Sequence, residues 1–378
     1  MKIIQIVTLV TPDGAYGGPV RVAVNQTRAL LEAGHEVELV AGGSGFGATL
    51  PKQFDGVPIN LFHARSLPGM GFSGTWAPGL QSWLRSVIRT ADAVHIHMGR
   101  DMVTLPASQL ARRLRVPYVL QTHGMITRSS HPLAGIVDRL WTFPALENAR
   151  RVLYLTPQES TDLKSLSRPL PTLEELPNGV PQSQHSKANK SKVIEVLFLA
   201  RLHERKRPLL FIELAKKLHP IFPNVRFSMV GPDGGQASDV TASIQASGIS
   251  HVLQWEGAIP PDKTAARISR CDVYVLPSIN EPFPMSVLEA LSLGKPVVIT
   301  NSCGLGPAIL KKEAGMVVDE TLDSLVDSVT LLLDDAEFRD RVSRAALDLA
   351  YNDFGMKKIV KHLENIYDEV SNNGKRHK

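Results

Sequence analysis

Residues 3–41 read IIQIVTLVTPDGAYGGPVRVAVNQTRALLEAGHEVELVA, and this stretch decides the fold class. It begins with a β-branched apolar run at 3–10 and ends with a second one at 36–41. Between them, residues 20–33 place apolar side chains at helical spacing, and Gly34 follows as a typical C-terminal cap. Continuous apolar strands joined by helices predict a parallel sheet that is covered on both faces.

The same alternation continues along the chain. Further strands are predicted at residues 57–62, 93–97, 118–122, 152–155, 193–200, 225–230, 251–254, 273–276 and 296–300. Further helices are predicted at residues 208–218, 284–293, 322–333, 336–351 and 354–370. The sequence therefore predicts an α/β protein with Rossmann-like, doubly wound parallel sheets.

A polar segment separates the two sets of strands. Residues 181–192 contain no aliphatic residue larger than Ala and are rich in Ser, Gln, Asn and Lys, which is typical of a linker. We expect an N-terminal domain at 1–180 and a C-terminal domain at 193–353, with the last helix, 354–370, packing back on the first domain. Because ligands of open parallel sheets bind at the carboxyl ends of the strands, both domains should face a central cleft.

Composition limits the classes of function. Of the 378 residues, 43% are apolar and 21% are charged, as expected of a globular protein. The net charge of +5 is too small for the electrostatic footprint of a nucleic-acid-binding protein, and no partner of that kind is expected. Two cysteines, Cys271 and Cys303, cannot build a disulfide framework or a cysteine-rich zinc site, which favours a reducing cytoplasm.

The apolar runs are too short for membrane insertion. None approaches the roughly 20 residues that a spanning helix needs. The run at 3–10 is interrupted by Gln5 and Thr8 and ends in Pro12-Asp13-Gly14. It therefore fits a buried strand better than an export signal.

A glycine-rich loop follows the first predicted strand. Gly17 and Gly18 precede a helix that has Pro19 in its first turn. Glycines let a ligand approach the backbone, and the N-terminus of a helix favours a phosphate; a plain glycine turn is the alternative. The pattern is not GxGxxG and lacks an acidic residue after the second strand, which disfavours a nicotinamide dehydrogenase.

A basic loop follows the strand at 193–200. Arg201 and Lys206 lie in it, five residues apart, and could clamp a diphosphate, with Arg bidentate and Lys as a point charge. A solvated basic loop is the alternative, and Arg205 and Arg207 are assigned to it.

Two carboxylates flank the start of the helix predicted at 284–293. Pro282 and Pro284 hold Glu281 in the loop and start the helix close to Met285. Glu289 lies one turn further on, so the two carboxylates could accept hydrogen bonds from the hydroxyls of a sugar and of a ribose. The alternative makes Glu281 a helix-dipole acid and Glu289 a surface residue.

These loops together resemble the retaining GT-B glycosyltransferases of family four, the glycosyl transferases group 1. The resemblance is carried by Glu281-Pro-Phe-x5-Glu289-Ala, by the Arg-x4-Lys loop and by Gly17-Gly18. Weaker similarities at residues 33–37, 177–180 and 293–297 extend it over nearly the whole chain.

The resemblance implies roles for individual residues. Arg201 and Lys206 would bind the donor diphosphate, Glu281 the donor sugar and Glu289 the ribose. His123, in Gln121-Thr-His-Gly124, would touch the donor sugar near the reacting carbon. Other implied donor contacts are Gly17, Gly18, Gly231, Ile259, Phe283, Met285 and Ser286. Acceptor-side candidates are His97, Arg100 and Asp101, for which ordinary strand-end roles are equally open.

The resemblance also implies the reaction. A hexose-type sugar would pass, with retention of configuration, from a nucleotide-diphospho-sugar to an acceptor hydroxyl, with a UDP-sugar favoured over GDP-mannose. No Asp-x-Asp motif or His/Asp cluster calls for a metal, so neither metal nor cofactor is expected. Two departures weaken the inference about the sugar: Pro284 replaces the usual Gly, and the loop at 303–309 lacks the usual Glu.

The acceptor is expected to be a glycan or a lipid-linked molecule, by family analogy in cell-surface polysaccharide or glycolipid assembly. Residues 63–83 include Met70, Phe72 and Trp76, which suit either membrane contact or an ordinary lid. Residues 1–180 hold 17 basic and 13 acidic side chains, which could favour an anionic membrane on whose inner face the protein is peripheral. The alternatives are a nucleotide-sugar epimerase, a non-catalytic sugar-nucleotide-binding protein and a glycan-binding scaffold.

Overall fold

The computed structural model describes residues 1–14, 17–129, 132–166, 169–182 and 193–375. The chain divides into two compact units, Met1–Gly179 with Met356–Lys378, and Val180–Gly355. Of the linker expected at 181–192, all but Pro181 and Gln182 lies outside the described residues.

The first unit alternates strands and helices. Its strands are β1 (Lys2–Val10), β2 (Glu36–Gly43), β3 (Gln53–Phe54), β4 (Val57–His63), β5 (Arg65–Ser66), β6 (Thr75–Trp76), β7 (Ala93–His97), β8 (Tyr118–Gln121), β9 (Arg151–Tyr154) and β10 (Leu173–Glu175). Its helices up to this point are α1 (Gly17–Glu32), α2 (Leu80–Val87), α3 (Thr104–Arg113), α4 (Pro132–Val137), α5 (Phe143–Asn148) and α6 (Pro157–Lys164), with a π-helical turn at Asp138–Thr142 between α4 and α5.

The second unit repeats the alternation. Its strands are β11 (Glu195–Leu199), β12 (Arg226–Val230), β13 (Leu253–Trp255), β14 (Val273–Leu276), β15 (Val297–Thr300) and β16 (Gly315–Val318). The helices that follow in the chain are α7 (Pro208–Leu218), α8 (Ala237–Ala246), α9 (Thr264–Ile268), α10 (Met285–Ser292), α11 (Gly306–Lys312), α12 (Leu322–Asp334), α13 (Ala336–Asn352) and α14 (Met356–Lys375). The last of these, α14, belongs to the first unit.

Both sheets are doubly wound. Within the described residues the strand order is β10-β9-β8-β7-β1-β2-β4-β3 in the first unit and β13-β12-β11-β14-β15-β16 in the second. All neighbours in these two sheets pair in parallel except β3 with β4, and β5 and β6 form a separate antiparallel pair. The α/β class with parallel doubly wound sheets is therefore confirmed.

Alternate residues of the first sheet pack on opposite faces. Ile3, Ala93 and Val119 pack with α14 through Ile359 and Leu363, whereas the next residues along the same strands (Ile4, Val94 and Leu120) belong to a separate cluster with α2 and α3. The last helix thus packs on the first unit, as expected, although it begins at Met356. Phe354 precedes it and packs edge-on against Phe283 at 5.6 Å.

No helix in the described part of the chain is long and apolar enough to cross a membrane.

Several elements were not predicted from the sequence. Among them are α3, α6, α8, α11 and β16.

Candidate active site

The order of the strands places two loops of the second unit side by side. The chain winds from β11 outward to β13 and then returns to β14, which pairs with β11. Ligands of doubly wound sheets bind at such a switch point, outside the carboxyl ends of the strands. The loop after β11 holds Arg201 and Lys206, and the loop after β14 holds Glu281.

Hydrogen bonds join these two loops. Ile279 donates its N–H to the carbonyl of Arg205 at 2.9 Å. The ammonium of Lys206 donates to Oε2 of Glu281, and the side chains are only 16% and 9% exposed. Burial lowers the pKa of Lys206, and the Glu281 carboxylate opposes that shift.

Arg205 completes the ionic cluster. Its guanidinium lies 3.7 Å from Oε2 of Glu281, and 45% of its side chain is exposed. The sequence pattern assigns Arg205 to the solvated part of the basic loop and does not predict its approach to Glu281. Arg207 does remain apart, since its guanidinium donates to the carbonyl of Glu320.

Arg201 is half-buried against a glycine. A Cβ at Gly234 would stand 2.7 Å from Cγ of Arg201, so only glycine leaves room for this side chain. Gly231 is constrained more tightly: its φ is +146°, and a Cβ there would lie 2.0 Å from the carbonyl oxygen of Ala200. The loop after β12 is therefore pressed against the loop that carries Arg201.

Gly231 also contacts the loop after β13. Its N–H donates to the carbonyl of Gly257 at 2.9 Å, and its own carbonyl accepts from the indole N–H of Trp255 at 3.0 Å. Ile259, half-buried in the same loop, follows two residues later. Gly231 and Ile259, two of the implied donor contacts, thus lie in adjoining loops.

Helix α10 begins at Met285, as the two prolines predicted. Glu289 lies one turn inside it and is half-buried. Ser286 is hydrogen-bonded at 2.8 Å to the buried Tyr274, whose hydroxyl also donates to the carbonyl of Leu199 at 2.8 Å. Tyr274, which the sequence analysis did not single out, therefore braces the end of β11 against the start of α10.

The remaining predicted residues near α10 are mostly packed. Phe283 and Met285 are each 8% exposed. Gly304 donates to the carbonyl of Glu281 at 2.8 Å, which ties the loop at 303–309 to the ionic cluster. Burial raises the pKa of the Cys303 thiol to about 12, in keeping with a packing residue rather than a nucleophile.

The first unit has its own switch point between β1 and β7. The loop after β1 leads to Gly17 and Gly18 at the start of α1, and Ala15 and Tyr16 lie outside the described residues. Gly18 is exposed, and a Cβ there would meet no described atom within 4 Å.

Strand β7 and the loop after β8 bring three histidines together. His95, His97 and His123 form a stack with ring centroids 4.5 and 5.0 Å apart. Nδ1 of His97 lies 2.8 Å from Nε2 of His123, and Nδ1 of His95 lies 2.7 Å from the hydroxyl of Tyr367. Burial lowers the pKa of all three, to about 3 for His95 and His123, so the cluster is uncharged near neutral pH.

His123 is held in an unusual backbone conformation. Its φ of +52° is left-handed, which is uncommon outside glycine and is frequent at functional sites. The Glu159 carboxylate fixes the residues on both sides of His123, because it accepts hydrogen bonds from the Thr122 hydroxyl and the Gly124 N–H, both at 2.5 Å. Glu159 was missed, although Thr156-x-x-Glu159 has the spacing of a capping box at the start of α6.

The acceptor-side candidates make internal contacts. His97 is fully buried. Arg100 donates to Asp138 at 2.7 Å and to the carbonyls of Met125 and Thr127. Asp101 accepts from the Thr8 hydroxyl at 2.8 Å and from backbone N–H groups at the start of α3.

The described residues do not form a recognisable metal-binding site. No group of three His, Cys, Asp or Glu side chains there is placed to hold an ion. Independence from metals stays a prediction.

Two family models match adjoining parts of the chain. The model described as "Glycosyl transferase 4-like domain" matches residues 17–179, and the model described as "Glycosyl transferases group 1" matches residues 181–348.

Named relatives and a solved structure are similar to the chain. Alpha-D-kanosaminyltransferase of Streptomyces kanamyceticus is 25% identical over 345 residues, which cover 82% of this chain and 89% of that one. UDP-Gal:alpha-D-GlcNAc-diphosphoundecaprenol alpha-1,3-galactosyltransferase of Escherichia coli is 26% identical over 302 residues, 74% of this chain and 76% of that one. The Anabaena protein HepE, solved with UDP-glucose, superposes with a TM-score of 0.76 at 17% identity over 98% of this chain and 100% of that one.

The doubly wound sheets, the charged loops at a switch point and both family models agree. The chain belongs to the GT-B glycosyltransferases of family four, the glycosyl transferases group 1.

Proposed function

We propose that this glycosyltransferase moves a hexose-type sugar, with retention of configuration and without a metal ion, from a nucleotide-diphospho-sugar to a hydroxyl of a glycan or lipid-linked acceptor. The observation that carries the proposal is the ionic cluster of Lys206, Arg205 and Glu281 at the switch point of the second sheet, where the loop that holds the two cations also carries Arg201. The family resemblance supports retention.

The chemistry explains why such a cluster is useful. As the bond between the anomeric carbon and the phosphate oxygen breaks, its electron pair stays on the diphosphate while the sugar becomes oxocarbenium-like. Fixed cations aimed at that oxygen stabilise the charge as it develops. Arg201 and Lys206 would provide them, together with the N-terminus of α10, which begins four residues after Glu281.

The carboxylates would orient the donor. Glu289, one turn inside α10, would accept from the ribose hydroxyls, and Glu281 from a hydroxyl of the sugar. Because Lys206 already pairs with Glu281, the same lysine would join the sugar subsite to the diphosphate subsite.

The first unit would contribute neutral groups. His123 lies two residues after β8, and its low pKa makes its neutral ring a weak base, so we assign it hydrogen bonding to the sugar rather than proton removal. The proton of the acceptor hydroxyl would pass to an oxygen of the departing diphosphate as the new glycosidic bond forms.

A UDP-sugar is the favoured donor, and GDP-mannose is the second candidate. The name of the Escherichia coli relative contains UDP-Gal and a diphosphoundecaprenol-linked sugar, and HepE was solved with UDP-glucose. These names support, by similarity, a UDP-sugar donor and a lipid-linked acceptor. The role in cell-surface polysaccharide or glycolipid assembly is proposed from the family resemblance alone.

We further propose that the chain works in the cytoplasm at an anionic membrane surface. Ile136, Leu140 and Trp141 are 58%, 60% and 36% exposed around the π-helical turn, with the exposed Arg139 among them. Residues 100–151 carry eight arginines against three acidic residues, a net +5 that equals the charge of the whole chain. Exposed apolar side chains with an arginine among them, in a segment of net positive charge, suit such an interface.

The donor proposal is tested by binding and by turnover. UDP- and GDP-sugars should be screened for a rise in the melting temperature, because a ligand that binds only the native state raises it. Arg201→Ala should lower turnover by roughly 100-fold, as the loss of one preorganised donor does elsewhere.

Three results would count against the proposal. They are no stabilisation by any activated sugar, near wild-type turnover in a folded Arg201→Ala variant, and release of free nucleotide without an acceptor-linked product. The last would favour an epimerase.

A further inference from the structure

The second nitrogen of His97 reveals where its proton lies. Nε2 of His97 is buried and has no hydrogen-bond partner among the described residues. An orphaned N–H is rarer in protein interiors than an acceptor that lacks a donor. The neutral ring of His97 therefore carries its proton on Nδ1, the nitrogen that lies 2.8 Å from Nε2 of His123.

The position of that proton fixes the state of the next ring. If Nδ1–H of His97 donates, Nε2 of His123 must accept and carries no proton. A neutral imidazole has one N–H, so the proton of His123 is on Nδ1. Nδ1 is then the nitrogen left to meet a ligand.

We propose that His97 is a positioning residue: its Nδ1–H donates to Nε2 of His123 and thereby fixes His123 as the Nδ1–H tautomer, which offers one N–H donor to an oxygen of the bound sugar. This role replaces direct contact between His97 and the acceptor, because His97 is fully buried. Only the identity of the ligand rests on the proposed function, whereas the tautomer is a property of the free protein.

Two further features make the arrangement rigid. His95 stacks on His97 and is hydrogen-bonded to Tyr367 of α14, so the ring of His97 is confined on the side away from His123. Glu159 fixes the backbone on either side of His123. The ring of His123 is thus fixed by its hydrogen bond to His97 and by the rigid turn at 122–124, as a preorganised hydrogen-bond donor requires.

The tautomer has a chemical consequence. With Nδ1 protonated and Nε2 engaged by His97, His123 has no lone pair available to a ligand. It can polarise a hydroxyl or ether oxygen, but it cannot remove a proton from the acceptor. The inference therefore excludes His123 as the general base of the transfer.

The tautomer is measured directly in the free protein. Protein labelled with ¹⁵N-histidine should be studied by long-range ¹H–¹⁵N correlation, with the His123 signals assigned from their loss in His123→Gln. The expected pattern is a protonated Nδ1 and an unprotonated Nε2 in His123. A protonated Nε2 would overturn the inference, whether or not the chain transfers a sugar.

A matched pair of variants tests the role of His97. In His97→Asn, the side-chain amide places an N–H close to the position of Nδ1. In His97→Phe, the ring and its stacking remain and the donor is lost. We expect His123 to stay in the Nδ1–H form in His97→Asn and to become a mixture of tautomers in His97→Phe.

Turnover should follow the same division. We expect the kcat of His97→Phe to fall about tenfold, the scale of one hydrogen bond, and that of His97→Asn to stay closer to wild type. An unchanged tautomer in His97→Phe, or equal losses in both variants, would show that His97 only fills space. If the variants do not fold, the wild-type spectrum still decides the tautomer.

Discussion

The two units share a sheet topology but differ in the charge of their candidate sites. In the second unit, the loops at the switch point hold Lys206, Arg205 and Glu281 in ionic contact. In the first unit, strand β7 and the loop after β8 hold buried histidines whose pKa values are lowered, so their rings are neutral. One fold thus supports an ionic site and an uncharged polar site.

The difference corresponds to two parts of the proposed substrate. A diphosphate brings charge that must be neutralised, which requires permanent cations. A sugar brings hydroxyls: Glu281 would accept from one of them, and a neutral donor such as His123 would bind another oxygen without the desolvation cost of a buried ion. We therefore expect the two sites to respond differently to acid, to charge removal and to added cations.

Acid should have the largest effect, and it should act through the first unit. The pKa values of His95 and His123 are about 3 in the native state, against 6.5 as the ordinary value, and that of His97 is also far below 6.5. The unfolded chain thus binds more protons in this range, and native stability falls as the pH drops from 6.5 towards 3. Near pH 5 the unfolded chain should bind about three more protons at these histidines than the native protein does. The unfolding constant should therefore rise roughly 1000-fold for each pH unit of acidification.

Urea unfolding at several pH values measures that slope. Trp76, Trp83 and Trp141 belong to the first unit and Trp255 to the second, so fluorescence reports mainly the unit of interest. Replacing one histidine by Asn should reduce the slope by about one proton. An equal slope in such a variant would mean that the cluster does not control the acid sensitivity.

Removal of one cation from the ionic site should have the next largest effect. Lys206→Met keeps the length of the side chain and removes its charge, and we expect kcat to fall by roughly 100-fold. The matched control is Lys217→Met, since Lys217 is exposed on α7. Equal turnover in the two variants, both folded by circular dichroism, would separate the ionic cluster from the reaction.

The comparison also shows what the sequence could predict. The charged residues of the second unit follow strands directly, so Arg201, Lys206 and Glu281 could be located from strand ends and prolines alone. The histidine cluster depends on strand order, because His95 and His97 on β7 meet His123 only once β7 pairs with β8. A hydrogen bond between rings 26 positions apart in the chain has no local signal.

Other residues were missed for related reasons. Tyr274 lies inside an apolar strand, and its bonds to Leu199 and Ser286 arise only from packing. Glu159 did have a local signal, the capping box at the start of α6. Its hydrogen bonds to the turn at 122–124, however, form only when α6 packs beside the end of β8. Local patterns therefore predicted the elements and the ionic residues better than the groups that hold them in place.

A smaller effect is expected on binding to membranes. The proposed membrane surface is the exposed region around Leu140 in the first unit, not the histidine cluster. Leu140→Glu should lower partitioning to vesicles that contain anionic lipid by about tenfold, because the variant loses an apolar contact and gains repulsion. Ile221→Glu is the matched control, as Ile221 is 59% exposed in the second unit and Leu140 is 60% exposed in the first. Similar losses in both variants in sedimentation assays would remove the proposed surface.

The smallest expected effect is that of chelation, which should leave turnover unchanged. If Arg201 and Lys206 neutralise the departing diphosphate, the wild-type protein needs no divalent ion, and excess EDTA should have no effect on kcat. Lys206→Met lacks one of these charges, so added Mg²⁺ should partly restore its turnover while leaving the wild type unaffected. Loss of wild-type activity in EDTA, with recovery on addition of metal, would contradict this account, because the second unit would then need a cation beyond those of its own side chains.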